Sequence, residues 1–265
     1  MAASLILATL ALGGAAALVG HRAAAREAAA EAAFPPTGQL LRVNGATVHA
    51  HVEGSGPDLI LLHGASGNTR DFTFSLLAHL APHYRVIAFD RPGLGWSDSL
   101  GDKGLDPAVQ AAVLHAAARQ LGVQRPIVLG HSYGGAVALA WGLQDQHDLG
   151  ALVILSGATM PWSGGLGPWY AITSSRLGAA VAIPLVTAFA GAERTKATIA
   201  GIFAPDAAPP GYAQAVGAGL TLRRATLRMN ARQVNSLNPY LRIMAPEYPR
   251  LTLPVEIVHG DADSI

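Results

Sequence analysis

Short apolar runs alternate with longer helix-compatible stretches between residues 59 and 155, and few folds accommodate that order. Residues 59–62, 84–89, 126–129 and 152–155 read as buried strands, and residues 71–80, 107–121 and 135–143 read as helices. Strands separated by helices must cross over and run parallel, so an α/β fold is predicted, with a mostly parallel sheet covered by helices on both faces. Ahead of it, residues 39–43 and 46–52 flank Asn44-Gly45, whose tolerance of positive φ predicts an antiparallel hairpin. After Ser156-Gly157 the pattern changes to helix-like and loop segments, from Pro161 to about Arg250, before a last strand-like run at Val255–Val258. The expected organisation is therefore a core over 37–157, an inserted helical lid over 158–250, and a second, incomplete core segment over 251–265.

The 265 residues are 51% hydrophobic and 13% charged, enough for one large domain with a sizeable core. A formal charge of +1 supplies no electrostatic footprint for nucleic acid. With no cysteine, disulfides, thiol nucleophiles and thiolate metal sites are excluded. Residues 1–20 carry no charge, and at 1.5 Å per residue roughly 20 apolar residues cross a hydrocarbon core about 30 Å thick. The run lacks a basic start and is followed by Arg22 and Arg26, which favours a single membrane anchor with a cytoplasmic main domain. The alternative is export after cleavage of a signal segment. Residues 21–36, rich in alanine and ending at Pro35-Pro36, read as a helical stalk.

In a parallel sheet, ligands and catalytic groups gather outside the carboxyl ends of the strands. Four such ends carry unusual residues: His63-Gly64-Ala65-Ser66-Gly67, Asp90-Arg91-Pro92-Gly93-Leu94-Gly95-Trp96-Ser97, Gly130-His131-Ser132-Tyr133-Gly134, and His259-Gly260-Asp261-Ala262-Asp263. A strand before Gly130-His131-Ser132-Tyr133-Gly134 and a helix after it are what a sharp turn presenting a serine hydroxyl requires. The helix starting there offers free N–H groups and the positive end of its dipole.

Together these segments resemble the α/β-hydrolase fold family, in its serine-nucleophile branch, over nearly the whole stretch from about residue 37 to 265. The resemblance implies that Ser132 is the nucleophile and that the backbone N–H groups of Ala65 and Tyr133 form the oxyanion hole. It implies that His63, Gly64, Gly130, His131 and Gly134 support the loop and the turn, with His131 pointing away from its neighbour Ser132. The Asp90 segment is read as loop-shaping, with Asp90 and Arg91 paired. The pattern G-x-x-D selects Asp263, over Asp261, as the acid that orients the base. A serine at 132 argues against relatives that use an aspartate nucleophile.

In this family the order along the chain is serine, acid, histidine, whereas all ten histidines here precede Asp263. The expectation is a fragment, inactive as it stands, whose catalytic histidine lies roughly 20 to 40 residues beyond Asp263. The lid aromatics Trp162, Trp169, Tyr170, Phe189, Phe203 and Tyr212 suggest a greasy inner face, and hence an apolar ester or other small acyl substrate. Neither an organic cofactor nor a metal is implied. The expected function is that of a carboxylesterase-like serine hydrolase, the alternative a hydrolase-like binding protein without turnover. Nothing in the sequence speaks to oligomeric state.

Overall fold

The computed structural model describes residues 1–263. Its centre is a seven-stranded sheet in the order β1-β2-β4-β3-β5-β6-β7. The strands are β1 (Gln39–Val43), β2 (Ala46–Glu53), β3 (Asp58–Leu62), β4 (Arg85–Phe89), β5 (Ile127–His131), β6 (Ala151–Leu155) and β7 (Val255–Val258). β1 and β2 form the antiparallel hairpin, turning through Asn44 (φ 50°) and Gly45 (φ 87°), and β2 joins β4 antiparallel. Every later pairing is parallel.

Side chains alternate across the sheet and so build two cores. Ile60, Leu62, Ile87, Phe89 and Val128 face the larger one with α4 (Pro107–Gln120) and α5 (Tyr133–Asp145), where alanines let the helices approach the strands closely. Leu59, Leu61, Val86 and Ala88 face the other, against Phe72 and Leu77. α4 starts as its sequence dictates, with Pro107 in the first turn and the Asp106 carboxylate accepting from Ala108 N at 2.8 Å. The stretch 71–80, expected as one helix, is two: α2 (Arg70–Thr73) and α3 (Leu76–Leu80). The break frees Phe74 to stack edge-on against Tyr212 at 5.4 Å, a tertiary contact that overrides local propensity.

Between β6 and β7 the chain forms α6 (Pro168–Ser174), α7 (Arg176–Phe189), α8 (Ala192–Phe203), α9 (Tyr212–Ala215), α10 (Ala218–Thr221) and α11 (Arg224–Met244). At the amino terminus α1 (Ala2–Ala33) runs unbroken through the boundary drawn at residue 20. Its residues 2–18 are exposed, whereas Ala23 and Ala30 are buried against the lid helices. Arg22 Nε donates to Ala188 O at 2.8 Å and Arg26 Nη2 to Ala190 O at 2.6 Å, satisfying carbonyls at the end of α7. Glu27 accepts from Arg224 N (2.7 Å), Nε (2.9 Å) and Nη2 (2.7 Å) at the start of α11, and Glu31 pairs with Arg223 at 3.0 Å. The charges of residues 22–31 are thus docking contacts rather than a solvated surface.

Candidate active site

Ser132 sits between β5 and α5 at φ 50°, ψ −118°, a conformation rare for a residue with a side chain. The surroundings hold it there: Ser132 N donates to Leu155 O (3.0 Å), and its carbonyl accepts from Gly135 N (2.9 Å) and Ala158 N (3.0 Å). The flanking glycines are required by close approach. A Cβ on Gly130 would overlap the Gly134 carbonyl, and one on Gly134 would overlap the Leu62 carbonyl of β3. A Cβ on Gly64 would lie 3.0 Å from Ser132 Cβ and 3.2 Å from His131 Nδ1. The loop after β3 therefore lies against the serine. The His131 ring and the Ser132 Cβ both lie beside Gly64.

His63 is fully buried, with Nδ1–H donating to Gly64 O at 2.9 Å and Nε2 accepting from Arg91 N at 2.9 Å. Burial, helped by the Arg91 charge, pushes its pKa down to about 3, so the ring stays neutral with a defined tautomer. Arg91 is also fully buried and does not pair with Asp90. Its Nε donates to His63 O (2.8 Å), its Nη2 to Gly64 O (3.0 Å), and its Nη1 to Gln110 Oε1 (2.9 Å) and Gln233 Oε1 (3.0 Å). The guanidinium stacks 4.1 Å from the centre of the Tyr133 ring, and burial pushes the Tyr133 hydroxyl up to about 12. Asp90 turns the other way, to His49 Nδ1, Thr69 N and Trp96 N, each at 2.7 Å.

The lid holds the same loop from above. Ser66, at φ 60°, donates from its N–H to Asn230 Oδ1 (2.6 Å), its hydroxyl accepts from Asn230 Nδ2 (3.0 Å), and its carbonyl accepts from Thr221 Oγ1 (2.7 Å). Ala65 lies between these anchors and Arg91. The sequence reading missed Asn230, Gln233 and Thr221. The available signal was a pair of amides, three residues apart, on the face of α11 that otherwise buries Met229, Leu237 and Leu241.

In the loop after β7, Asp263 N donates to Gly260 O at 3.3 Å, and its carboxylate lies 3.5 Å from His259 Nε2. Its charge also opposes the downward shift that burial imposes on His131. Asp261 is exposed. Ser132 and His131 therefore lie together beside Gly64, and the charge of Asp263 acts on His131. Among the described residues no histidine hydrogen-bonds the Ser132 hydroxyl. One group outside this region could hold a cation, His115 with Asp145 and Asp148, whose ligand atoms lie within 4.8 Å of one another.

A family model described as the alpha/beta hydrolase fold matches residues 57–176. The chain is 35% identical over 116 residues to a 2-hydroxy-6-oxononadienedioate/2-hydroxy-6-oxononatrienedioate hydrolase of Paraburkholderia phymatum, a match covering 42% of this chain and 40% of that protein. The chain thus spans less than half the length of that relative. Among solved structures, it superposes on the esterase RhEst1 from Rhodococcus sp. ECU1013 with a TM-score of 0.63 at 25% identity, covering 85% of this chain and 81% of that one. It superposes on a membrane phospholipase A, a bacterial virulence factor, with a TM-score of 0.60 at 21% identity, covering 99% of this chain and 83% of that one. With the sheet order, the turn at Ser132 and these matches together, the chain has the α/β-hydrolase fold.

Proposed function

We propose that the protein is a membrane-anchored serine hydrolase that cleaves an apolar acyl ester, with Ser132 as nucleophile. One observation carries the reading: Ser132 is held at positive φ between β5 and α5, with the Gly64 backbone packed against its Cβ. In this reading the hydroxyl lies at the N-terminus of α5, beside the two backbone segments that bear the Ala65 and Tyr133 N–H groups. In the first step Ser132 Oγ bonds to the acyl carbon as a base removes its proton, and the two N–H groups stabilise the oxyanion. The tetrahedral adduct then expels the alcohol, which takes up the proton, and water cleaves the acyl-serine. Asp263 serves as the carboxylate that orients the base imidazole. The base itself is not assigned among the ten histidines.

Support for the substrate class comes from outside the turn at Ser132. The exposed apolar half of α1 is long enough to cross a bilayer, and α1 is bonded directly to the lid. Of the structures described above, the membrane phospholipase A is the one whose match extends over 99% of this chain, α1 included. An acyl ester drawn from a lipid phase fits this arrangement. The test is hydrolysis of p-nitrophenyl esters of graded chain length by the intact natural protein in its own membranes. The expected result is a preference for longer acyl chains that disappears in Ser132→Ala. Hydrolysis unaffected by that substitution would overturn the proposal.

A further inference from the structure

We infer that the outer face of α6 and α7 is a membrane-docking surface that lies on the bilayer beside α1. The inference rests on the membrane reading of α1 given above and adds a second, separate contact with lipid. Leu177, Val181, Leu185 and Phe189 recur every fourth residue along α7 and are 79%, 57%, 43% and 52% exposed. Trp169 and Ile172 of α6 are exposed as well. A stripe of large apolar side chains this long is unusual on a water-facing helix, where polar residues are expected opposite the buried face. The whole segment Pro168–Phe189 carries a single charge, Arg176. Neither helix alone is long enough to span a bilayer, and the two meet at a bend of 104°, which suits a segment lying in the interface rather than crossing it.

Continuity identifies the occupant as a lipid surface. Phe189, at one end of the stripe, lies with its ring 5.2 Å from the guanidinium of Arg22, the first arginine after the uncharged run of α1. Arg22 and Arg26 also bond the carbonyls of Ala188 and Ala190, so the end of α7 is pinned at the level where the apolar half of α1 stops. If α1 enters a bilayer, Arg22 sits at its polar boundary and the stripe begins at that boundary. The lid would then rest on the membrane from which the proposed substrate comes.

The natural absence of cysteine allows clean single-site labelling of the full chain. Environment-sensitive probes are placed on Val181→Cys and Leu185→Cys, with Leu10→Cys in α1 reporting the anchor and Ala112→Cys on the exposed side of α4 as a water-facing control. Each protein is reconstituted into phosphatidylcholine–phosphatidylglycerol vesicles containing lipid nitroxide quencher placed near the headgroup end of the acyl chain. The probes at 181 and 185 should shift to the blue, lose emission to the nitroxide lipid and resist aqueous iodide, while the probe at 112 does the reverse. A lipid-quenched probe at 10 with iodide-quenched probes at 181 and 185 would overturn the docking surface while leaving the anchor intact. Shielding of 181 and 185 from both quenchers would also overturn it, in favour of a second copy of the chain. A probe at 10 untouched by lipid would refute the anchor and the docking surface together.

Discussion

Replacing Asp90 by asparagine tests how the loops around the serine are held. The carboxylate is 1% exposed and accepts three hydrogen bonds: Oδ2 from His49 Nδ1–H and Trp96 N–H, Oδ1 from Thr69 N–H. Burial alone would raise its pKa, but these donors, His49 foremost, hold it below the usual carboxylate range. Asparagine keeps one acceptor oxygen, which can serve His49 and Trp96. Its NH2 then faces the Thr69 N–H, donor against donor. A buried donor left unsatisfied costs about 1–3 kcal/mol, and each of the other two bonds weakens by about 1 kcal/mol on losing the charge. Relief from burying the carboxylate offsets part of this, so about 3 kcal/mol should be lost. For a chain of this size that corresponds to a fall in Tm of about 6–12 °C, read by intrinsic tryptophan fluorescence. Hydrogen exchange over residues 64–69 should quicken, because Thr69 anchors the end of the loop after β3. The exposed pair Asp102–Arg232 serves as control, and Asp102→Asn should be nearly silent. A Tm change below about 2 °C in Asp90→Asn, with unchanged exchange, would refute the reasoning.

Burial raises the Asp71 pKa to about 7, only partly countered by its hydrogen bond from the lid residue Tyr212. The folded state therefore binds this proton more tightly than the unfolded state, and the stability it contributes is lost as pH rises from about 4 to about 7; Asp71→Asn should flatten the Tm profile across that window. Glu27→Gln removes a paired charge from the start of α11 and should cost about 1–2 kcal/mol, seen as faster tryptic cleavage after Arg22 and Arg26. Asp263→Asn should lower ester turnover of the intact natural protein by about 10³–10⁴, with little effect from Asp261→Asn; equal small losses would remove Asp263 from the mechanism.

The parallel sheet and its hairpin were legible because their signals are local. Apolar runs of four or five residues, Asn44-Gly45 and Pro107 each act within a few residues of themselves. The turn at Ser132 was legible because strand, glycine-flanked serine and helix follow one another in sequence, although only Gly130 answers a local steric demand while Gly134 makes room for the Leu62 carbonyl of β3. What escaped was set by partners far away. Asp90 and Arg91 are neighbours that a sequence reader pairs, yet their side chains diverge, one to β2 and the other to the loop at Gly64. The charges at 22, 26, 27 and 31 look like solvated decoration on an alanine helix, and their partners lie more than 160 residues downstream. Asn230 and Gln233 are ordinary residues for a long helix until the fold brings them over Ser66 and Arg91.

The most direct test is covalent capture of the serine. The intact natural protein, in its own membranes, is treated with a fluorophosphonate probe, digested, and the adduct located by mass spectrometry. The account predicts one adduct, on Ser132, absent from Ser132→Ala, with that variant keeping its Tm because the half-buried hydroxyl makes no hydrogen bond among the described residues. An adduct on another residue, or a folded protein that never labels, would contradict it.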